Sequence, residues 1–152
     1  MNQEQYVIQI HKKFCPDATP TNVPMQPSLK LKKAKECDVS QPYREIVGAL
    51  MFIAQATRPD INFAVSTLCR YFNCYDKEHF NAAVYVIRYL LGTKSLGLVY
   101  YRTNEQVMVR FFSDSSFGDD IDTRRSTTGV VGFIGSCCVI WISQLQKGVS
   151  LS

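Results

Sequence analysis

DKEHFNAAVYVIRYLLG, running from Asp76 to Gly92, is the stretch that decides the fold. Phe80, Ala83, Val84, Ile87, Leu90 and Leu91 recur at i, i+3, i+4, i+7, i+10 and i+11, the spacing of one helix face. Asp76 suits the N-cap, where a carboxylate accepts from amides that the first turn leaves without partners, and Gly92 is placed for a C-terminal cap. Past Gly92 the period changes from helical to extended. Leu96–Tyr101 and Val107–Ser113 read as strands joined by the polar turn Thr103-Asn104-Glu105. A loop from Ser115 to Ser126 follows. Gly129–Ile134 and Cys137–Ile142 then make a hairpin across the two-residue turn Gly135-Ser136.

Upstream of Asp76, two further helices are expected. Tyr43, Ile46, Val47, Leu50, Ile53 and Ala54 form an apolar face, with Ser40 placed to cap and Pro42 in the opening turn. Thr57-Arg58-Pro59-Asp60 ends that helix and starts the next, whose buried stripe is Ile61, Ala64, Val65, Leu68 and Phe72. A short helix carries Tyr6, Val7, Ile10 and Phe14, and Pro16 stops it. From Cys15 to Gln41, four prolines and a lysine cluster predict an extended connector with no core of its own. Helices first and strands later is the α+β pattern.

The 152 residues, 46% hydrophobic and 20% charged, have globular rather than disordered composition. A net charge of +4 permits weak attraction to phosphate backbones without demanding it. The longest apolar stretch, Ile46 to Ala54, is far short of the roughly 20 residues of a membrane span, so no membrane partner is expected. The six cysteines form no C-x-x-C pair, and with only two histidines, His11 and His79, no local zinc spacing arises. Reduced thiols in a cytoplasmic or nuclear setting are the expectation.

Asp114 is the carboxylate most suited to chemistry. It ends an apolar strand beside the small Ser115 and Ser116, where a rigid element holds it and leaves room for a metal ion and substrate. Hydrolysis by two metal ions needs several such carboxylates, because hard cations take oxygen ligands. From these residues alone an ordinary turn aspartate is the commoner reading. Phe117-Gly118-Asp119-Asp120 superficially matches an aromatic-x-Asp-Asp polymerase signature. The following Ile121-Asp122-Thr123-Arg124-Arg125 is no apolar strand, so a solvated loop is expected. Arg124 and Arg125 either clamp a phosphate or pair with the neighbouring aspartates. His11 and His79 have no evident nucleophile partner, and Trp141 reads as part of a sheet face.

Gln41-Pro42-Tyr43-Arg44-Glu45-Ile46-Val47-Gly48-Ala49-Leu50-Met51-Phe52, followed by Thr57-Arg58-Pro59-Asp60-Ile61, resembles the segment after the polymerase palm in copia-type retrotransposon polyproteins. Lys77-Glu78-His79-Phe80, Ile87-Arg88-Tyr89-Leu90-Leu91-Gly92-Thr93 and Leu96-Gly97-Leu98 continue the resemblance in order. Phe112-Ser113-Asp114-Ser115-Ser116-Phe117-Gly118-Asp119 looks like the opening ribonuclease H strand, where the family usually has Trp at the place of Phe117. Arg124-Arg125-Ser126-Thr127-Thr128-Gly129 and Ile140-Trp141-Ile142-Ser143 complete it, so that nearly the whole chain is covered.

The resemblance implies an α+β chain in three parts: a connector with a short helix (1–41), a three-helix thumb or connection region of reverse transcriptase (42–95), and an incomplete ribonuclease H-like sheet made of hairpins (96–152). It makes Asp114 the first metal-binding carboxylate of the ribonuclease H. The polymerase aspartates are expected upstream of Met1 and the remaining ribonuclease H ligands beyond Ser152. The expectation is therefore a truncated polyprotein remnant that is not an enzyme by itself, its Asp114 a vestigial metal and catalytic residue. No bound cofactor is expected, magnesium being the metal of the intact parent. The partners this implies are RNA or an RNA–DNA hybrid, held weakly through Lys30, Lys32, Lys33, Arg124 and Arg125, and the intact parent polyprotein. A further alternative is a magnesium-dependent ribonuclease H completed by a partner chain. The apolar sheet, lacking later strands and helices, is expected to be poorly stable or to aggregate.

Overall fold

Amphipathic helices bury their apolar stripes only against one another, and the first part of the chain does this. The computed structural model describes residues 1–38, 40–102 and 107–149. Its helices are α1 (Glu4–Phe14), α2 (Tyr43–Ala56), α3 (Asn62–Cys69) and α4 (Lys77–Gly92), with a 3-10 turn at Pro59–Ile61 between α2 and α3. The strands are β1 (Val109–Ser115), β2 (Thr127–Ile134) and β3 (Cys137–Leu145). The architecture is α+β, and the chain divides into two compact units, Met1–Gly97 and Leu98–Ser152.

In the helical unit the core is Ile46, Val47, Leu50 and Ile53 of α2, Leu68 of α3, and Val86, Ile87 and Leu90 of α4, with Val7 and Ile10 of α1 joining it. The six residues expected on the apolar face of α2 are its six buried residues. In α4 the buried face is turned from the expected one. Ala83, Ile87 and Leu90 are buried as expected, but His79, Ala82 and Val86 join them, while Phe80, Val84 and Leu91 are half-buried. The reason is packing on more than one side, since α4 meets α1, α2 and α3, and small alanines let helices approach closely.

The N-cap of α4 is Asp76 as expected. Its carboxylate accepts from the amides of Glu78 at 2.9 Å and His79 at 3.3 Å, and the His79 ring answers at the Asp76 main chain. Two other end signals differ from expectation. Ser40 does not cap α2; its amide and hydroxyl donate to Asp38 Oδ1, and Pro42 takes the N-cap position. Gly92 does not turn left-handed. It is the last residue of α4, where a Cβ would stand 3.2 Å from Pro20 Cβ and 3.3 Å from Thr21 O, so glycine lets the connector cross the helix closely.

That connector has no helix or strand between Cys15 and Gln41 among its described residues, yet it adds to the core, contrary to expectation. Leu31 is buried in the cluster and Met25 and Leu29 pack against it. Hydrogen bonds fix its path: Thr21 N to Arg88 O, Thr21 hydroxyl to Tyr85 hydroxyl, Arg88 Nε to Thr19 O, and Tyr71 hydroxyl to Leu31 O. A disulfide joins Cys37 to Cys74, with Cα atoms 4.8 Å apart. This corrects the expectation of six reduced thiols. A separation of 37 residues carries no local signal, and only the folding of the connector onto the turn after α3 brings the two together. Closing a loop of that length removes about 4 kcal/mol of unfolded-chain entropy in the chain-entropy picture.

The second unit is a three-stranded antiparallel meander in the order β1-β2-β3. Gly135 takes φ 61° at the first position of the β2–β3 turn, a conformation open to glycine. The register slips between Gly132 and Phe133, so that Phe133 faces Cys138 and Gly132 faces Ile140, leaving Val139 out of the ladder as a bulge. Residues 96–101 form no strand, which corrects the expectation there. Alternating apolar residues make a strand only beside a partner ladder, and β1 pairs with β2 alone among the described residues. Thr103-Asn104-Glu105, read as a turn, lies outside the described residues.

Every residue of β1 is exposed. Residues directly opposite in an antiparallel pair share a face. Val109 and Phe111 therefore lie in line with Val130, Ile140 and Ile142, while Phe112, Phe133, Val131 and Trp141 occupy the other face. Apolar side chains stand on both faces of the sheet, exposed on β1 and partly buried on β2.

Candidate functional site

The residues singled out for chemistry fall in both units. Lys30, Lys32 and Lys33 are exposed on the connector of the helical unit, and Asp114, Arg124 and Arg125 belong to the sheet unit. The whole net charge of +4 arises in Met1–Gly97, where twelve Lys and Arg accompany eight Asp and Glu; the remainder carries five of each.

Asp114 lies within β1, one residue from its end, because β1 runs on to Ser115. It pairs with Gly129 of β2, and Gly129 pairs in turn with Ser143 of β3. Its carboxylate is exposed and accepts from the Ser115 amide at 2.8 Å. Thus the sheet positions on its row offer a hydrogen atom and a hydroxyl rather than further acids. Among the described residues, no cluster of three or more His, Cys, Asp or Glu gathers as a metal site.

The loop after β1 uses its aspartates to hold its own shape. Asp119 accepts from the hydroxyls of Ser116 at 2.6 Å and Thr127 at 3.0 Å. Asp120 is only 5% exposed and accepts from the Thr123 amide at 2.9 Å and from the Thr123 hydroxyl. The amide of Asp120 donates to Arg125 O, and that of Arg124 to Asp120 O. Arg124, at φ 58°, turns the chain back in the left-handed region. The expectation of a solvated loop is corrected at Asp120, which is drawn inside because it satisfies several donors at once. Arg124 is exposed and Arg125 half-buried.

Sequence reasoning read Thr57-Arg58-Pro59-Asp60 as a helix boundary and missed the polar cluster it builds. Arg58 is 3% exposed, and its guanidinium donates to both Asp60 oxygens, to Thr93 O at 3.0 Å and to Thr93 Oγ1 at 2.6 Å. It also lies 5.5 Å from the centre of the Tyr89 ring, whose hydroxyl donates to Asp60 Oδ2 at 2.8 Å. Burial pushes the Asp60 carboxyl up, but hydrogen bonds from Arg58 and Tyr89, with the Arg58 charge, outweigh it and hold the group below the usual carboxylate range. Arg58 thus ties the α2–α3 boundary to the end of α4. The signal available in the sequence was an arginine two residues before an aspartate around a proline, and its partners 35 residues on were not legible.

His79, read as lacking a catalytic partner, is fully buried between the Tyr71 and Tyr43 rings, 4.3 Å and 6.3 Å away, with Nδ1 2.8 Å from Asp76 Oδ1. Its place is in the cap and core of α4. His11 Nε2 lies 3.0 Å from Ala18 O at the turn into the connector.

Against known proteins, the chain is 33% identical over 162 aligned residues to the "Retrovirus-related Pol polyprotein from transposon TNT 1-94" of Nicotiana tabacum, an alignment covering 100% of this chain and 12% of that protein. It is 32% identical over 152 residues to the Pol polyprotein from transposon RE1 of Arabidopsis thaliana, covering 98% of this chain and 10% of the relative. The chain belongs to the copia-type retrovirus-related Pol polyproteins of transposons. It is 36% identical over 111 residues to "Secreted RxLR effector protein 161" of Plasmopara viticola, covering 73% of this chain and 78% of that protein. No protein-family model matches the chain, and no solved structure matches it significantly. This member of the Pol family spans about a tenth of the length of the transposon polyproteins it matches. No helix among its described residues is long and apolar enough to cross a membrane.

Proposed function

We propose that this retrotransposon-derived chain corresponds to the connection between the reverse transcriptase and ribonuclease H of a Pol polyprotein, and that these 152 residues alone do not catalyse. In this reading residues 1–41 are a connector with a short helix, 42–95 the thumb or connection region, and 96–152 the opening part of the ribonuclease H. The observation that carries it is the setting of Asp114. A pair of magnesium ions needs several converging carboxylates to fix its geometry and neutralise the scissile phosphate. Asp114 has Gly129 and Ser143 beside it on the ladder, and the nearby acids Asp119 and Asp120 are spent on the loop's own hydroxyls and amides. That donor set does not fit a two-ion centre.

The test incubates the purified chain with a labelled RNA–DNA hybrid and magnesium or manganese, beside Asp114→Asn. The expected result is no cleavage by either protein. Cleavage lost in Asp114→Asn overturns the reading and favours the ribonuclease H completed between chains.

A second reading, weak retention of RNA or hybrid by the connector, is favoured by the exposed Lys30, Lys32, Lys33 and Lys35 in the unit that holds all the net charge. Such binding rests on phosphate contacts and weakens steeply with salt. Filter retention at low salt that falls on replacing these lysines with glutamine supports it, and no retention at low salt ends it.

A further inference from the structure

The disulfide between Cys37 and Cys74 sits where the lysine-bearing connector meets the turn between α3 and α4. On the connector side, Leu31 and Ala34 are buried while Lys30, Lys32, Lys33 and Lys35 point to solvent. On the other side, Tyr71 and Tyr75 are buried and hydrogen-bonded to the strap: Tyr71 hydroxyl to Leu31 O at 2.9 Å, Tyr75 hydroxyl to Gln41 O at 3.4 Å, and Asp38 N to Tyr75 O at 2.8 Å. The segment between these bonds has no secondary structure among its described residues, and the covalent bridge adds a restraint near its C-terminal end. Cys37 is exposed and Cys74 half-buried. A soluble thiol therefore reaches the Cys37 sulfur first. Cys15, Cys69 and Cys138 are poorer reactants, since burial pushes their thiols up.

We propose that Cys37 and Cys74 form a reversible thiol–disulfide latch, closed by glutathione disulfide and opened by glutathione, that decides whether the strap bearing Lys30 to Lys35 is clamped on the helical unit or released. In closing, the Cys37 thiolate attacks one sulfur of glutathione disulfide. A protein–glutathione bond forms, the glutathione S–S bond breaks, and the leaving glutathione thiolate takes up the proton that Cys37 gave up. The Cys74 thiolate then attacks the Cys37 sulfur, the protein disulfide forms, and the second glutathione leaves with the proton from Cys74. Two electrons pass from the protein to one glutathione disulfide, which becomes two thiols; opening is the reverse. The latch rests on no part of the proposed function.

The full chain, equilibrated with excess glutathione disulfide and then unfolded, is expected to titrate four thiols, and six after dithiothreitol. Trypsin is expected to cut the native chain after Lys32, Lys33 and Lys35 on the order of tenfold faster when reduced than when oxidised. This comparison needs no variant. Cys37→Ser should be cut at the fast rate in both conditions, and Cys15→Ser should keep the response. Six thiols after glutathione disulfide, a disulfide-linked dimer on a non-reducing gel, or equal cleavage rates in the two states would each overturn the latch.

Discussion

The two units of this chain spend similar apolar residues to opposite effect. In the helical unit Ile46, Leu50, Ile53, Leu68, Ile87 and Leu90 are wholly withdrawn from solvent. In the sheet unit Val109, Phe111 and Phe112 are 62%, 61% and 58% exposed, and Ile140 and Ile142 on β3 are exposed as well. The difference lies in layers rather than composition. Helices pack their single stripes into one common core, whereas a three-stranded meander has two faces and needs a layer on at least one of them. Burial of a large aliphatic side chain contributes about 2 kcal/mol, and the sheet unit forgoes most of it.

The sharpest way to break this comparison is a truncation in each unit. Leu50→Ala is expected to cost about 4 kcal/mol, the transfer loss plus the cavity left in a close-packed core, read from the midpoint of urea unfolding followed by helix circular dichroism. A cost under about 1 kcal/mol would mean that the helical core is not tightly packed.

The next test weighs the Arg58 cluster, the polar counterpart of that core. Asp60→Ala removes the charge partner of a guanidinium that is 3% exposed and is expected to cost on the order of 3 kcal/mol by the same measurement. Because the folded chain holds Asp60 below the usual carboxylate range, its contribution is complete above the unfolded value, about pH 4, and is lost as pH falls through the lower folded value. Asp60→Asn should therefore flatten the acid limb of the stability curve, and an unchanged limb would contradict the assignment.

The smallest expected effect belongs to the sheet. Phe111→Thr should change the unfolding midpoint by no more than about 0.5 kcal/mol, since the ring is already in water. It should at the same time lower the binding of a hydrophobic dye and slow aggregation, by removing an apolar side chain from an edge strand. A large loss of stability would show that the Phe111 ring is covered in solution.

Much of the helical unit was legible because a helix stripe is a local property. The α2 face could be read residue by residue from Tyr43 to Ala54, and the Asp76 cap from a carboxylate ahead of a periodic run. The α4 face was legible only in part. Spacing names Ala83, Ile87 and Leu90, but the burial of His79, Ala82 and Val86 depends on which neighbours surround the helix. Ser40 and Asp38 show the same limit at smaller scale: both are good capping types, and local geometry chose a turn between them over the α2 cap. For the candidate site, the residue type and strand position of Asp114 were readable. The identity of its ladder neighbours, Gly129 and Ser143, needed the register, and the burial of Asp120 needed the path of the returning loop.

Order along the chain was enough to establish helices before strands, the hairpin at Gly135-Ser136 and membership in the Pol family, because periodicity, turn chemistry and motif order are written in consecutive residues. Tertiary structure alone decided the joining of Cys37 to Cys74, the grip of Arg58 on Thr93 and the exposure of β1. Each depends on groups separated by tens of residues or on whether another layer is present, and a one-dimensional pattern carries no distance between such groups.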